Sequence, residues 1–296
     1  MQVLLRLYEY TTRIKTELSA IVLTQDDRGV TIPKKQTTYW CSLIKAPEIN
    51  TKHHITKFEP YVQEGNEGLV HHLLIYECHG KFNQSLYGSG FDCHNTANMP
   101  LTQCYHSSVV AAWAVGGEAF YYPPKAGYPI GTADSPSSYM LELHYDNPDG
   151  VEGHNDSSGV RFYYTSNLRE YDAGIFAVGE SVSPFMIIPP KQESWMTVGY
   201  CSKECYKQNL NSTKLPEKGI KVFAALLHTH LQGRATWTKH VRDGVELPEI
   251  ARDDNYDFNF QVIIAVLYGS VNDPRTANDP QIEPQMILGP VSRKLP

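Results

Sequence analysis

The chain has 296 residues, about the length of two ordinary domains. With 26 Lys+Arg against 32 Asp+Glu its net charge is −6, so it lacks the basic face a nucleic-acid partner requires. Its composition, 41% hydrophobic and 20% charged, is that of a globular core rather than a disordered segment, and apolar runs such as Val262 to Leu267 are far below the roughly 18 residues of a membrane-crossing helix.

The first residues are apolar but meet Arg6, Glu9 and Arg13 before a signal-peptide core can form, so no export signal is expected in the sequence as it stands. Residues 1–35 read as a connecting segment. From there, 19 Pro and 21 Gly interrupt every helical period, whereas β-branched and aromatic runs bounded by turn residues recur. Strands are predicted at Thr37 to Ile44, Leu69 to Tyr76, Tyr139 to Tyr145, Val160 to Tyr164, Val222 to His230 and Phe258 to Tyr268. The Pro-rich stretch from Tyr121 to Pro129 reads as a loop, and a domain boundary is expected after Leu168-Arg169-Glu170. The expected class is all-β, built as sandwiches.

Four of the six cysteines, Cys41, Cys78, Cys93 and Cys104, fall in one half without Cys-x-x-Cys knuckles, which reads as a local disulfide set rather than a zinc site. Glycosylation sequons at Asn83, Asn155 and Asn211 point the same way, toward a secretory or extracellular protein.

Twelve histidines offer metal chemistry. His228 and His230 flank Thr229 in a predicted strand, where period-2 geometry puts both imidazoles on one face, a chelate suited to zinc, copper or nickel. His144 ends an alternating strand. His71-His72 starts another, but adjacent strand residues point to opposite faces unless a bulge re-aims one. His53-His54 reads as a solvated strand pair, and His79, His94, His106, His154 and His240 read as loop or surface residues. No phosphate-binding glycine loop, nucleophile elbow or His-Glu-x-x-His helix is present, which disfavours nucleotide binding and hydrolysis.

Eight strings, in this order along the chain, carry a family likeness: Tyr39-Trp40-Cys41, Val70-His71-His72, Ala112-Trp113-Ala114, Phe120-Tyr121-Tyr122-Pro123, Leu141-Glu142-Leu143-His144-Tyr145, Asn155-Asp156-Ser157-Ser158-Gly159, Gly199-Tyr200-Cys201 and Leu227-His228-Thr229-His230-Leu231. From about Thr37 to Gln261 the sequence resembles the copper type II ascorbate-dependent monooxygenases. That resemblance implies two consecutive β-sandwich, jelly-roll-like copper domains, here residues 36–169 and 170–261, the second incomplete, followed by a divergent tail over residues 262–296. By motif match, one copper would be held by His71, His72 and His144, and the oxygen-binding copper by His228, His230 and a methionine. Imidazoles serve both copper oxidation states, and a thioether favours Cu(I). Ascorbate would be the reductant, O2 the co-substrate and a small molecule the substrate.

The same resemblance implies disulfides Cys41 to Cys93 and Cys78 to Cys104, and leaves Cys201 and Cys205 without partners in this chain. His53-His54 matches a pair that is not a ligand pair in the hydroxylase branch. Leu226 stands where the peptide-amidating branch carries an arginine that grips a substrate carboxylate, which favours an apolar or phenethylamine-like substrate. The tail holds Met286 but no match to the methionine-ligand motif, and Pro274, Pro280, Pro284 and Pro290 are expected to keep it from adding strands. Two further readings accompany the enzyme: a copper-binding, catalytically deficient product lacking the methionine ligand, and a secreted zinc–histidine protein.

Overall fold

Strands cover the chain because its apolar residues come in short runs of alternating or continuous character, too short for a two-turn helical stripe. The computed structural model describes residues 19–24, 29–93, 104, 108–179, 187–202, 220–229 and 232–257, and the backbone of 266–269 and 285–288. The chain divides into two units, Met1–Glu170 and Tyr171–Pro296.

The first unit contains β1 (Ser19–Thr24), β2 (Val30–Thr31), β3 (Thr37–Lys45), β4 (His53–Tyr61), β5 (Val70–Cys78), β6 (Gly90–Asp92), β7 (Val109–Ala114), β8 (Phe120–Tyr121), β9 (Ala126–Ile130), β10 (Ser138–Asp146), β11 (Asn155–Asp156) and β12 (Gly159–Thr165). One of its sheets runs β1-β12-β4-β9 with β8 also on β4; the other is five-stranded, in the order β6-β3-β10-β5-β7; β2 and β11 form a separate ribbon. The pairings are antiparallel.

Strand β10 is buried from Ser138 to Tyr145, on both faces, which is why its sequence reads as a nearly continuous apolar run. One face packs toward the first sheet. It carries Leu141 and Leu143 beside Leu73 and Ile75 of β5, all fully buried. Each contributes about 1.5–3 kcal/mol by leaving water. From this face Glu77 reaches across the layers, its Oε1 accepting the Tyr128 hydroxyl of β9 at 2.9 Å. The opposite face carries Cys41, Leu43 and Met140, and is covered by the disulfides Cys41–Cys93 and Cys78–Cys104 with Phe82, Leu86, Tyr87 and Phe91 packed around them.

Two expectations fail here. Ala126–Ile130 forms β9 although it contains Pro129, paired against His53–Ile55 of β4. The true loop is confined to residues 122–125 and is clasped by Arg169, whose Nη1 donates to the carbonyls of Tyr122, Pro123 and Ala126 at 3.0, 2.7 and 2.7 Å. The pair His53-His54 is not solvated as a whole. In the central strand β4, His54 turns inward to 1% exposure, and its Nδ1 accepts the Arg169 N–H at 2.9 Å. Gly127 makes room for it: a Cβ there would lie 2.5 Å from that of His54.

The second unit contains β13 (Tyr171–Gly174), β14 (Gly199–Cys201), β15 (Ile220–Ala224), β16 (Thr236–Arg242), β17 (Val245–Asp253), β18 (Val266–Gly269) and β19 (Gln285–Leu288). Its sheets run β13-β18-β15 and β14-β19-β16-β17. The tail therefore does supply strands: β18 pairs with β13 and β15, and β19 lies between β14 and β16. Both are four residues long: β18 precedes the first of the tail prolines and β19 fits between Pro284 and Pro290, so the breaks limit strand length rather than forbid strands. The strand predicted at Val222 to His230 ends at Ala224, and that predicted from Phe258 is described only as β18, residues 258–265 lying outside the described residues. Cys201 is buried in β14, and Cys205 lies outside the described residues.

The disulfides close separations of 52 and 26 residues. Replacing either pair with alanines should cost roughly 3–4 kcal/mol on the chain-entropy model, read as a lower urea midpoint; non-reducing peptide maps should join Cys41 to Cys93, and a Cys41–Cys78 peptide would refute the pairing.

Burial holds the Glu77 carboxyl above its usual range, although the Tyr128 hydroxyl and His79 pull it down. A raised carboxyl binds its proton more tightly folded than unfolded, so it lends stability at acid pH that is lost as pH rises through its folded value. Glu77→Gln should accordingly raise the urea midpoint at pH 7, with the gain disappearing toward pH 4; equal midpoints across that range would disprove the burial penalty.

Candidate metal centre

His71 and His72 are neighbours on β5, and on a regular strand their side chains would part. The register prevents it. His72 lies opposite His144 of β10, yet Tyr145 lies opposite Val70, so β5 carries one extra residue at His71. A bulge of this kind bends the strand and re-aims side chains, and here it brings both imidazoles to His144. The Nδ1 of His72 is 3.2 Å from the Nδ1 of His71 and 3.2 Å from that of His144. One ligand atom from each of the three rings lies within 4.8 Å of the others.

Hydrogen bonds among the three rings do not satisfy both of these contacts together. An imidazole nitrogen has one in-plane position, a proton or a lone pair, so His72 Nδ1 cannot bond well to two nitrogens at once. A cation accepting one lone pair from each ring can, and imidazole–metal bonds of about 2 Å fit within separations of this size. His144 is kept in the right form. Burial and the neighbouring His71 hold His144 down to about 4, against a slight upward pull from Asp146, so it is neutral and its lone pair available at physiological pH.

Two sets of contacts fix the rings. Tyr39 of β3 stacks on His144 with centroids 4.5 Å apart and planes 6° from parallel, and the Cys93 amide donates to the Tyr39 carbonyl at 2.9 Å. The disulfide thus braces the stacking partner. Beneath the bulge sits the buried carboxylate of Asp156. It accepts Asn66 Nδ2 and Ser158 Oγ on Oδ1, at 2.8 and 2.6 Å, and the Tyr145 hydroxyl and Ser158 N–H on Oδ2, at 2.8 and 3.1 Å. Tyr145 follows His144 directly. The carbonyl of Asn66 in turn accepts the N–H groups of Leu69 and Val70, the residues that lead into His71. One carboxylate therefore ties together both strands that meet at the bulge.

Among the described residues, Cys41, Cys93 and Glu142 also converge, but the two sulfurs are joined to each other and offer no thiolate. His228 is exposed and lies beyond β15 in residues 225–229, outside any strand; His230 lies outside the described residues. Of the histidines expected at the surface, His53 is tied to the Thr51 carbonyl, His79 stands near Glu77, and His154 contacts the Asn66 side chain. His240 is no loop residue: it lies in β16 with a buried Nε2. His94 and His106 lie outside the described residues, as does Asn211. Asn83 and Asn155 are exposed.

The sequence matches the family model for the N-terminal domain of copper type II ascorbate-dependent monooxygenases over residues 24–152, and that for their C-terminal domain over residues 171–271. Human DBH-like monooxygenase protein 1 is 45% identical over 253 residues, covering 86% of this chain and 40% of that protein. Dopamine beta-hydroxylase of Canis lupus familiaris is 42% identical over 257 residues, covering 84% of this chain and 40% of that protein, and the human dopamine beta-hydroxylase is 42% identical over 235 residues, with 79% and 37% covered. The chain spans about 40% of the length of these relatives.

Removing the Asp156 carboxylate would strand buried donors from Tyr145, Asn66 and Ser158. Asp156→Ala should lower the unfolding free energy of the first unit by about 3 kcal/mol and speed hydrogen exchange of the Leu69 and Val70 amides; an unchanged urea midpoint with unchanged exchange would show that the network does not support the bulge.

Proposed function

The chain belongs to the copper type II ascorbate-dependent monooxygenase family, and on that premise we propose that it hydroxylates a C–H bond of a small, apolar or phenethylamine-like molecule. Copper would supply the redox chemistry, with electrons from ascorbate, one atom of O2 entering the substrate as hydroxyl and the other leaving as water. The observation that carries this reading is the convergence of His71, His72 and His144, one ligand atom of each ring lying within 4.8 Å of the others. In this reading those three residues hold the first copper, in a domain spanning residues 36–169, and His228 and His230 hold the second, in a domain beginning at residue 170.

The residues of the chain do the positioning. The bulge aims two neighbouring imidazoles, Tyr39 sets the plane of the third, and the apolar surroundings keep His144 unprotonated so that it donates a lone pair rather than repelling a cation. Neutral nitrogen donors suit both Cu(I) and Cu(II), so electron transfer asks for little change of ligands. Leu226, half-buried two residues before His228, carries no charge to pair with a peptide carboxylate, which supports an uncharged or cationic small substrate over a peptide.

The two disulfides support residence in the secretory pathway, where Asn83, Asn155 and Asn211 would accept N-linked glycans. No helix among the described residues is long and apolar enough to cross a membrane.

Metal analysis of the purified chain tests the reading. His144→Ala should remove one copper per chain, and His228→Ala a second, while ascorbate-driven oxygen uptake with a phenethylamine panel should stop in either variant. Unchanged copper content in His144→Ala would sink the assignment.

A further inference from the structure

Residues 225–229, which carry His228 and Thr229, are not held by a sheet. Strand β15 ends at Ala224, and residues 225–229 continue outside any strand, so ladder hydrogen bonds do not set the direction of His228. A single side chain does much of that work. The hydroxyl of Tyr256 accepts the N–H of Thr229 at 3.0 Å and donates to the carbonyl of the same residue at 2.6 Å. One buried phenol thereby satisfies both main-chain groups of the residue between the two histidines, as a neighbouring strand would.

The other side of Thr229 is closed by a glycine. A Cβ on Gly233 would lie 2.0 Å from Thr229 Cγ2, so the threonine side chain packs directly on the main chain there. Thr229 is held between a phenol and a glycine, and its N-terminal neighbour His228 is left facing outward. Tyr256 is itself presented by a braced turn. Arg252 Nε donates to both carboxylate oxygens of Asp254 at 2.9 Å, and the Asn255 N–H donates to Asp253 Oδ1 at 2.9 Å.

We propose that Tyr256 is a positioning residue for the His228 and His230 pair, acting through the main chain of Thr229, with Gly233 as its counter-surface. This rests on the reading that the pair binds copper. Backbone that is ordered before the ion arrives leaves less entropy to lose on metal binding, which favours affinity. The double hydrogen bond fixes the backbone between the two ligands before the ion arrives.

The test uses the full chain and two readouts. In metal-free protein, Tyr256→Phe should speed hydrogen exchange of the Thr229 amide at least tenfold. In Cu(I) competition against a chromogenic chelator, the same variant should weaken the copper that depends on His228 at least tenfold and leave the copper that depends on His144 unchanged. Gly233→Ala, which leaves the phenol intact but pushes on Thr229, should weaken the same copper. Unchanged exchange overturns the clamp, and faster exchange with unchanged affinity in both variants overturns its role in positioning. If the unmodified chain binds copper only at the His144 site, the copper reading of the pair fails and the positioning role falls with it, while the exchange measurement still reports whether Tyr256 holds Thr229.

Discussion

Adjacent residues on a regular strand cannot meet at one point, and the histidine triad of the first unit depends on breaking that rule once. The extra residue at His71, between the pairs Val70–Tyr145 and His72–His144, gives up regular ladder spacing to bring two imidazoles together. A bulge left alone would be a soft place in the sheet. Here its two flanks are fastened to one buried anion: Asp156 accepts from Tyr145 on β10 and from Asn66, which receives the amides of Leu69 and Val70. The irregularity that makes the site is thus enclosed by hydrogen bonds on both strands.

Burial of the five-stranded sheet on both faces follows the same logic. Its inner face is filled by aliphatic side chains and its outer face by the two disulfides with their aromatic surround. The outer cover explains how a polar site sits in a low-dielectric setting. Covalent cross-links cap the sheet beside the triad, the Cys93 amide reaches Tyr39, and Tyr39 lies flat on His144. The cost of burying an imidazole appears in the lowered proton affinity of His144. That shift is useful, because the form burial favours is the form that binds metal.

Much of this was legible in the sequence, and the gaps have physical causes. Strands β3, β5, β10 and β12 were readable because they are long, aromatic or β-branched runs whose own composition decides their state. Strand β9 was hidden by Pro129, and its edges are set by Arg169 from far along the chain. The β16–β17 hairpin carried a readable signal that was passed over: Asp243-Gly244 take φ values of 50° and 76°, as a two-residue turn requires. Strand β18 falls at the end of the apolar run read as a strand from Phe258, whereas β19 is too short to announce itself and exists through its partners. At the site, His71, His72 and His144 came together through family likeness, since spacing cannot reveal a bulge before the partner strand is known. Asp156 lay inside a recognised string, but its burial is what makes it an anchor. Tyr256 had no motif around it.

The two histidine groups are built by different means, and the difference bears on what each could do. The triad draws its ligands from paired strands of one sheet, with a shared register, a stacked tyrosine and a buried carboxylate, so moving one ring disturbs the sheet. A site of this kind resists change in geometry, which suits repeated gain and loss of an electron. The His228 segment is attached through a phenol and a glycine contact to Thr229, with His228 itself at the surface. Side-chain tethers of that sort hold a direction while leaving the outward ring accessible. In the proposed reading, where one copper stores electrons and the other meets dioxygen and substrate, the sheet-built site matches the first task and the tethered, exposed histidine the second. In that reading the two demands are separated by the kind of backbone support each group of histidines receives.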